Sequence, residues 1–163
     1  MGVSRDHEVR PAETAAAHSE SVEGWFIYTI KQLEQGLRAP LEQATQLGAG
    51  LSTAQYTALS VLDRWPGITS SELARRSFVR AQSMAETMTP LIEIGHVRRE
   101  RDPENARRFP LYLTAKGRKV LESARGPVAE LESRLLAAIP PSERGQFAAF
   151  LRSCRSALPE LPR

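Results

Sequence analysis

The chain has 163 residues, with 22 Lys and Arg against 19 Asp and Glu; its formal charge is +3, and it is 41% hydrophobic and 25% charged. This balance supplies a core and excludes a wholly disordered chain, and at roughly 150 residues per domain the length allows one domain with short extensions. No apolar run approaches the roughly 18 residues of a membrane span, and Met1 to Pro11 lacks the apolar centre of a secretory signal, so the expectation is a cytoplasmic protein with no membrane partner.

Residues 1–18 have no sustained apolar period and read as a loose N-terminal arm. From Ser19, Phe26, Ile30, Leu33 and Leu37 recur at helical spacing. Pro40 is expected to bend or restart that helix, and Gly48 and Gly50 to stop it. Ser52 with Gln55, and Thr69 with Glu72, have the three-residue spacing of capping boxes, so helices should begin at both places. Tyr56, Leu59, Val61 and Leu62 form the buried face of the first, and Leu73 and Ala74 that of the second. Another helix is expected from Ala81 to Ile94, with Met84, Met88 and Leu91 inward, a kink at Pro90 and a stop at Gly95. Val97–Arg101 and Arg108–Leu113 read as two strands joined by a polar turn, with Pro110 marking the second as an edge. Thr114 starts a long helical region broken near Gly126-Pro127. After Pro140-Pro141, Ser142 is expected to cap a last helix bearing the stripe Phe147, Leu151, Cys154 and Leu158.

The charge is uneven. Between Arg75 and Arg118 there are ten basic and five acidic residues, net +5, which leaves −2 for the rest. The basic residues flank the Ala81–Ile94 helix and crowd the hairpin. Helix, turn, helix and hairpin in this order is a winged helix-turn-helix, whose second helix fits a major groove while hairpin arginines meet phosphates or the minor groove. Double-stranded DNA is therefore the expected partner. A fold that has kept this shape but binds a protein instead is the alternative. An enzyme is disfavoured, because no nucleophile, base and orienting group stand together. One cysteine and the scattered His7, His18 and His96 offer no conventional metal site, and no cofactor is implied. Cys154, on an apolar stripe, is expected to be a buried small side chain, and His96 to sit at the surface or core edge.

Leu51-Ser52-Thr53-Ala54-Gln55-Tyr56, Leu59, Leu62, Pro66-Gly67-Ile68-Thr69 and Glu72-Leu73-Ala74 resemble the opening of the MarR family of transcriptional regulators. Gln82-Ser83-Met84, Leu91, Gly95-His96-Val97, Arg99, Asp102-Pro103, Arg107, Leu113-Thr114 and Gly117 continue the resemblance in register. It implies a mainly α fold with a small β-hairpin wing and a helical dimerisation layer. Residues 19–50 and 118–163 would supply that layer, and residues 51–117 would bind DNA. It further implies a homodimer on a pseudo-palindromic operator, released or altered by a small aromatic or phenolic effector. Arg80, Gln82, Ser83, Glu86 and Thr87 would face DNA from the recognition helix, and Arg107, with Arg108 beside it, from the wing. Trp25, Tyr28 and Tyr56 are candidates to wall an effector pocket. The chain departs from the family pattern in three places: Asn105 stands where an Asp commonly precedes the wing arginine, His96 follows the glycine, and Pro90 lies inside the recognition helix.

Overall fold

The computed structural model describes residues 25–158; the N-terminal arm and the first residues of the helix expected from Ser19 lie outside them. The chain divides into two compact units after Gln35. Of the first, the described part is the beginning of helix α1 (Trp25–Ala49), with Trp25, Phe26, Ile27, Tyr28, Ile30 and Leu33 all exposed.

The second unit takes the rest of α1, then α2 (Thr53–Arg64), α3 (Ser70–Arg76), α4 (Ala81–Glu93), β1 (Val97–Arg99), β2 (Leu111–Leu113), α5 (Ala115–Leu135) and α6 (Arg144–Ala157). Both capping boxes form. Ser52 Oγ accepts from Gln55 N at 3.2 Å while Gln55 Oε1 accepts from Ser52 N at 3.0 Å. At α3, Thr69 Oγ1 accepts from Glu72 N at 3.3 Å and Glu72 Oε2 from Thr69 N at 2.7 Å. The core joins Leu51, Leu59 and Leu62 to Leu73, Met84, Met88 and Leu91, and closes with Val97, Leu111, Leu113 and Leu121.

Among the described residues three prolines sit inside helices, and none ends one: Pro40 in α1, Pro90 in α4 and Pro127 in α5. The expected break at Gly126-Pro127 is thus corrected to a continuous α5. Pro127 deprives the Ser123 carbonyl of its helical donor, and that carbonyl lies against Gly48, where a Cβ would come within 2.9 Å of it. Gly48 is accordingly not a stop but the place where α1 and α5 approach closely; α1 ends at Gly50, with φ at 64°.

The hairpin is shorter than its sequence suggests. β1 and β2 are antiparallel with Val97 opposite Leu113, Arg98 opposite Tyr112 and Arg99 opposite Leu111. Beyond Arg99 the pairing thins to Glu100 N on Pro110 O at 3.0 Å and Asp102 N on Arg108 O at 3.1 Å, because Pro110 has no N–H to return. The far side of β2 is not free either: Leu111 N donates to Ile68 O and Gly67 N to Leu111 O, both at 2.9 Å. The last helix begins at Arg144 rather than after a Ser142 cap, since residues 141–143 form a turn in which Glu143 N donates to Pro140 O at 2.9 Å. Its stripe faces outward, with Leu151 51% and Leu158 60% exposed. Cys154 is exposed as well, contrary to the buried placement that its spacing suggests. His96, by contrast, is buried.

Candidate DNA-binding surface

The helix-turn-helix is α3 and α4. α3 ends in a Schellman turn: Phe78 N donates to Arg75 O at 3.2 Å and Val79 N to Ala74 O at 3.1 Å. The residue at the left-handed position of that turn is Phe78, with φ at 54°, where a glycine is usual and a side chain costs about 1–2 kcal/mol. Arg80 follows in extended backbone as the N-cap of α4, making no side-chain capping bond.

The 3.6-residue period buries Met84, Met88 and Leu91 and turns Gln82, Ser83 and Glu86 to the outside, with Thr87 half-buried beside them. These groups are linked along the helix. Gln82 Nε2 donates to Glu86 Oε1 at 3.1 Å, and Thr87 Oγ1 donates to Ser83 O at 2.9 Å. α4 contains no Lys or Arg.

The wing supplies positive charge, and its arginines divide into three kinds. Arg98 stacks on the ring of Tyr112, directly across the hairpin, at 4.6 Å and also pairs with Glu100, while Arg99 lies over Phe109 at 4.2 Å. Arg108 is an anchor: one guanidinium nitrogen donates to Asp102 Oδ2 and the other to the Gly67 carbonyl, each at 3.0 Å. The hydrogen bond from Arg108 holds the Asp102 carboxyl below the usual range, and Asp102 in turn raises Arg108. The wing is thereby tied to the turn between α2 and α3. Arg107 is exposed, and like those of Arg80 and Arg101 its guanidinium has no partner among the described residues. Asn105, standing where an aspartate is common, shapes the turn through its backbone neighbours: its Oδ1 accepts from Arg107 N at 3.0 Å and its carbonyl from Arg108 N at 2.9 Å.

Wing and helices enclose a groove of about 490 Å³, to which α3 contributes Ser70, α4 contributes Ala85 and Thr89, and the wing contributes Arg99, Arg107 and Arg108. Sequence reading missed two features of this surface. Arg101 was legible only as one of the basic cluster, and the anchoring role of Arg108 depends on a carbonyl 41 residues away. Behind the wing, Thr114 Oγ1 donates to Gly95 O at 2.7 Å and accepts from Gly117 N at 3.0 Å, so it caps α5 and fastens that helix to the end of α4. Burial, then the charge of Lys116, holds the neighbouring His96 below the ordinary imidazole value, and its Nδ1 is buried without a partner among the described residues.

Of the suggested effector residues, Trp25 and Tyr28 belong to the first unit and Tyr56 to the second. Trp25 and Tyr28 are exposed on α1 with their rings edge to face at 5.6 Å. Tyr56, on α2, is half-buried against the core. Among the described residues no helix is long and apolar enough to cross a membrane.

The MarR family model matches residues 49–108. The HTH-type transcriptional repressor Rv2887 of Mycobacterium tuberculosis is 31% identical over 133 residues, covering 82% of this chain and 93% of the relative. Among solved structures, a MarR-family regulator from Silicibacter pomeroyi superposes with a TM-score of 0.74 at 28% identity, over 85% of this chain and 92% of the other. The transcriptional repressor CouR, bound to a 23-mer DNA duplex, superposes with a TM-score of 0.70 at 26% identity, over 78% and 90%. The order of helices and wing, the motifs from Leu51 to Gly117 and these likenesses agree: the chain belongs to the MarR family of winged helix-turn-helix transcriptional regulators.

Proposed function

We propose that the protein is a homodimeric repressor that binds a pseudo-palindromic operator, inserting one α4 per protomer into successive major grooves about 10 bp apart. The observation that carries this reading is the polar outer face of α4, from Gln82 to Thr87, together with the guanidinium groups of Arg80, Arg101 and Arg107, which have no partner among the described residues. Gln82, Ser83, Glu86 and Thr87 would contact base edges. Arg80 and Arg107 would contact phosphates, and Arg108 would hold the wing that carries Arg107. The exposed apolar residues of α1 and α6, among them Phe26, Ile30, Leu151 and Leu158, support pairing of two chains through residues 19–50 and 118–163, since apolar surface left in water costs about 25 cal/mol per Å². Response to a small aromatic or phenolic effector, with Trp25, Tyr28 and Tyr56 as its contacts, rests on family membership.

Fluorescence anisotropy on duplexes enriched from a random pool tests the reading. Three unpaired arginines from each of two protomers neutralise about six phosphates, so raising salt from about 50 to 200 mM should weaken binding roughly 10³-fold. Affinity that barely changes with salt, or a monomer by light scattering at micromolar concentration, would refute it. The same titration repeated with a panel of aromatic acids tests effector response. Absence of sequence enrichment alongside a stable protein complex would favour the protein-binding alternative.

A further inference from the structure

The helix proposed to meet DNA is acidic. Within α4, Glu86 and Glu93 stand against no Lys or Arg, although the segment around it carries net +5. Glu86 lies on the outward face, opposite Met84, Met88 and Leu91, and near a polyanion its charge costs affinity. α4 also lacks the side chains that most often read guanine, since bidentate contact with O6 and N7 needs Arg or Lys.

What the face does carry is a fixed acceptor at Glu86, beside groups that can also donate: the Ser83 hydroxyl and the second amide hydrogen of Gln82. Gln82 spends one amide hydrogen on Glu86 Oε1 at 3.1 Å, which leaves its own Oε1 directed away from that bond and fixes the carboxylate one helical turn further on. Thr87 spends its hydroxyl hydrogen on Ser83 O at 2.9 Å, so its oxygen can only accept. The Glu86 carboxylate can only accept, so it needs a donor, and the major groove offers two: cytosine N4 and adenine N6. They are not equivalent. Adenine N6 lies between two acceptors, its own N7 and the O4 of the paired thymine, and both repel a carboxylate. Cytosine N4 has an acceptor on one side only, guanine O6, and a C–H on the other.

We propose that Glu86, held in place by Gln82, selects cytosine at one fixed position of each operator half-site by accepting a hydrogen bond from its N4 amino group. This rests on the reading that α4 enters the major groove. Glu86 gives up affinity for duplex in general and gains discrimination at that position.

The test is selection of duplexes from a random pool by the full-length wild type, E86A and E86Q, followed by anisotropy on the enriched sites. The wild type should enrich half-sites with one invariant cytosine and disfavour its replacement roughly tenfold. E86A should lose the preference at that position alone and bind random duplex more tightly, because a negative charge facing phosphate is gone. E86Q, which exchanges an acceptor for a donor, should move the preference toward adenine. If all three proteins enrich the same base at every position, the assignment of Glu86 is wrong while the DNA-binding reading stands. If the wild type enriches no sequence at all, both fail. Glu86 is exposed, so unchanged thermal unfolding is the expected control for both variants.

Discussion

Replacing Gly117 by alanine puts the joint between the wing domain and α5 under direct strain. A Cβ there would lie 2.0 Å from the His96 carbonyl oxygen and 2.9 Å from its carbon, against a floor near 3.0 Å for real contacts. The first turn of α5 and the chain at His96 must therefore separate by about 1 Å. That carbonyl also accepts from Thr114 N at 3.1 Å and Thr114 Oγ1 at 3.2 Å, and Thr114 Oγ1 bonds Gly95 O at 2.7 Å and caps Gly117 N at 3.0 Å. The separation takes these contacts out of range together. A lost cap costs about 1 kcal/mol, each lost hydrogen bond about 1 kcal/mol, and overpacking about 1–3 kcal/mol. The expected destabilisation is about 3–5 kcal/mol, or roughly 10 °C in Tm for a chain of this size. Urea unfolding followed by far-UV circular dichroism, at one fixed protein concentration because the proposed pairing of chains would shift the midpoint, measures it. Gly36 supplies the contrast: it lies inside α1 with nothing within 4 Å of an added Cβ, so Gly36→Ala should stabilise by up to about 1 kcal/mol. A G117A protein within about 1 kcal/mol of wild type would refute the close-approach argument.

Arg107→Ala should weaken binding to specific and random duplexes alike and lower the salt slope by about one for each arginine removed, leaving thermal stability unchanged. Arg108→Ala should instead loosen the wing, seen as faster amide exchange at Gly67 and Asp102; equal exchange in the two variants would remove the anchoring role. For His96, burial and Lys116 favour the neutral ring in the fold, whereas the unfolded chain takes up a proton near pH 6.5. Its stabilising contribution is therefore complete above about pH 6.5, declines as pH falls below that value, and levels off once the folded ring is also protonated. Urea midpoints measured from pH 7.5 downward should show this decline in wild type and not in His96→Leu. The lowered Glu72 and Asp102 carboxyls lose their contributions only at lower pH, below ordinary values of 4.5 and 3.8. A decline of equal size in the variant would assign the effect to other groups.

The parts of this fold that can be read from sequence are those settled within a few residues. Ser52 with Gln55 and Thr69 with Glu72 satisfy helix-start donors three positions away, so spacing alone locates them. Met84, Met88 and Leu91 define the inner face of α4 by period, and with it the outer face from Gln82 to Thr87. What spacing does not carry is the identity of a distant partner. No break appears at Pro127, and the Ser123 carbonyl that it leaves without a helical donor lies against Gly48, a neighbour 75 residues earlier that no local spacing announces. Arg108 looks like its neighbour Arg107 until Gly67 and Asp102 are beside it. The stripe of α6 was legible as apolar, but period does not say what covers it, which is why Cys154 was expected to be buried and is not. The left-handed Phe78 has no sequence signal, because the turn chemistry there points to glycine.

The rings of Tyr112 and Phe109 beneath Arg98 and Arg99 bear on how tightly charge on the wing can be used. A free arginine side chain has about 2 kcal/mol of rotamer freedom to lose when it is fixed on a phosphate. A guanidinium already seated at 4.2–4.6 Å over a ring has surrendered part of that freedom during folding. Two uncharged aromatic residues thus help set the electrostatic reach of the wing, and replacing either by a smaller side chain would leave its net charge untouched while returning an arginine to the disorder that docking has to overcome.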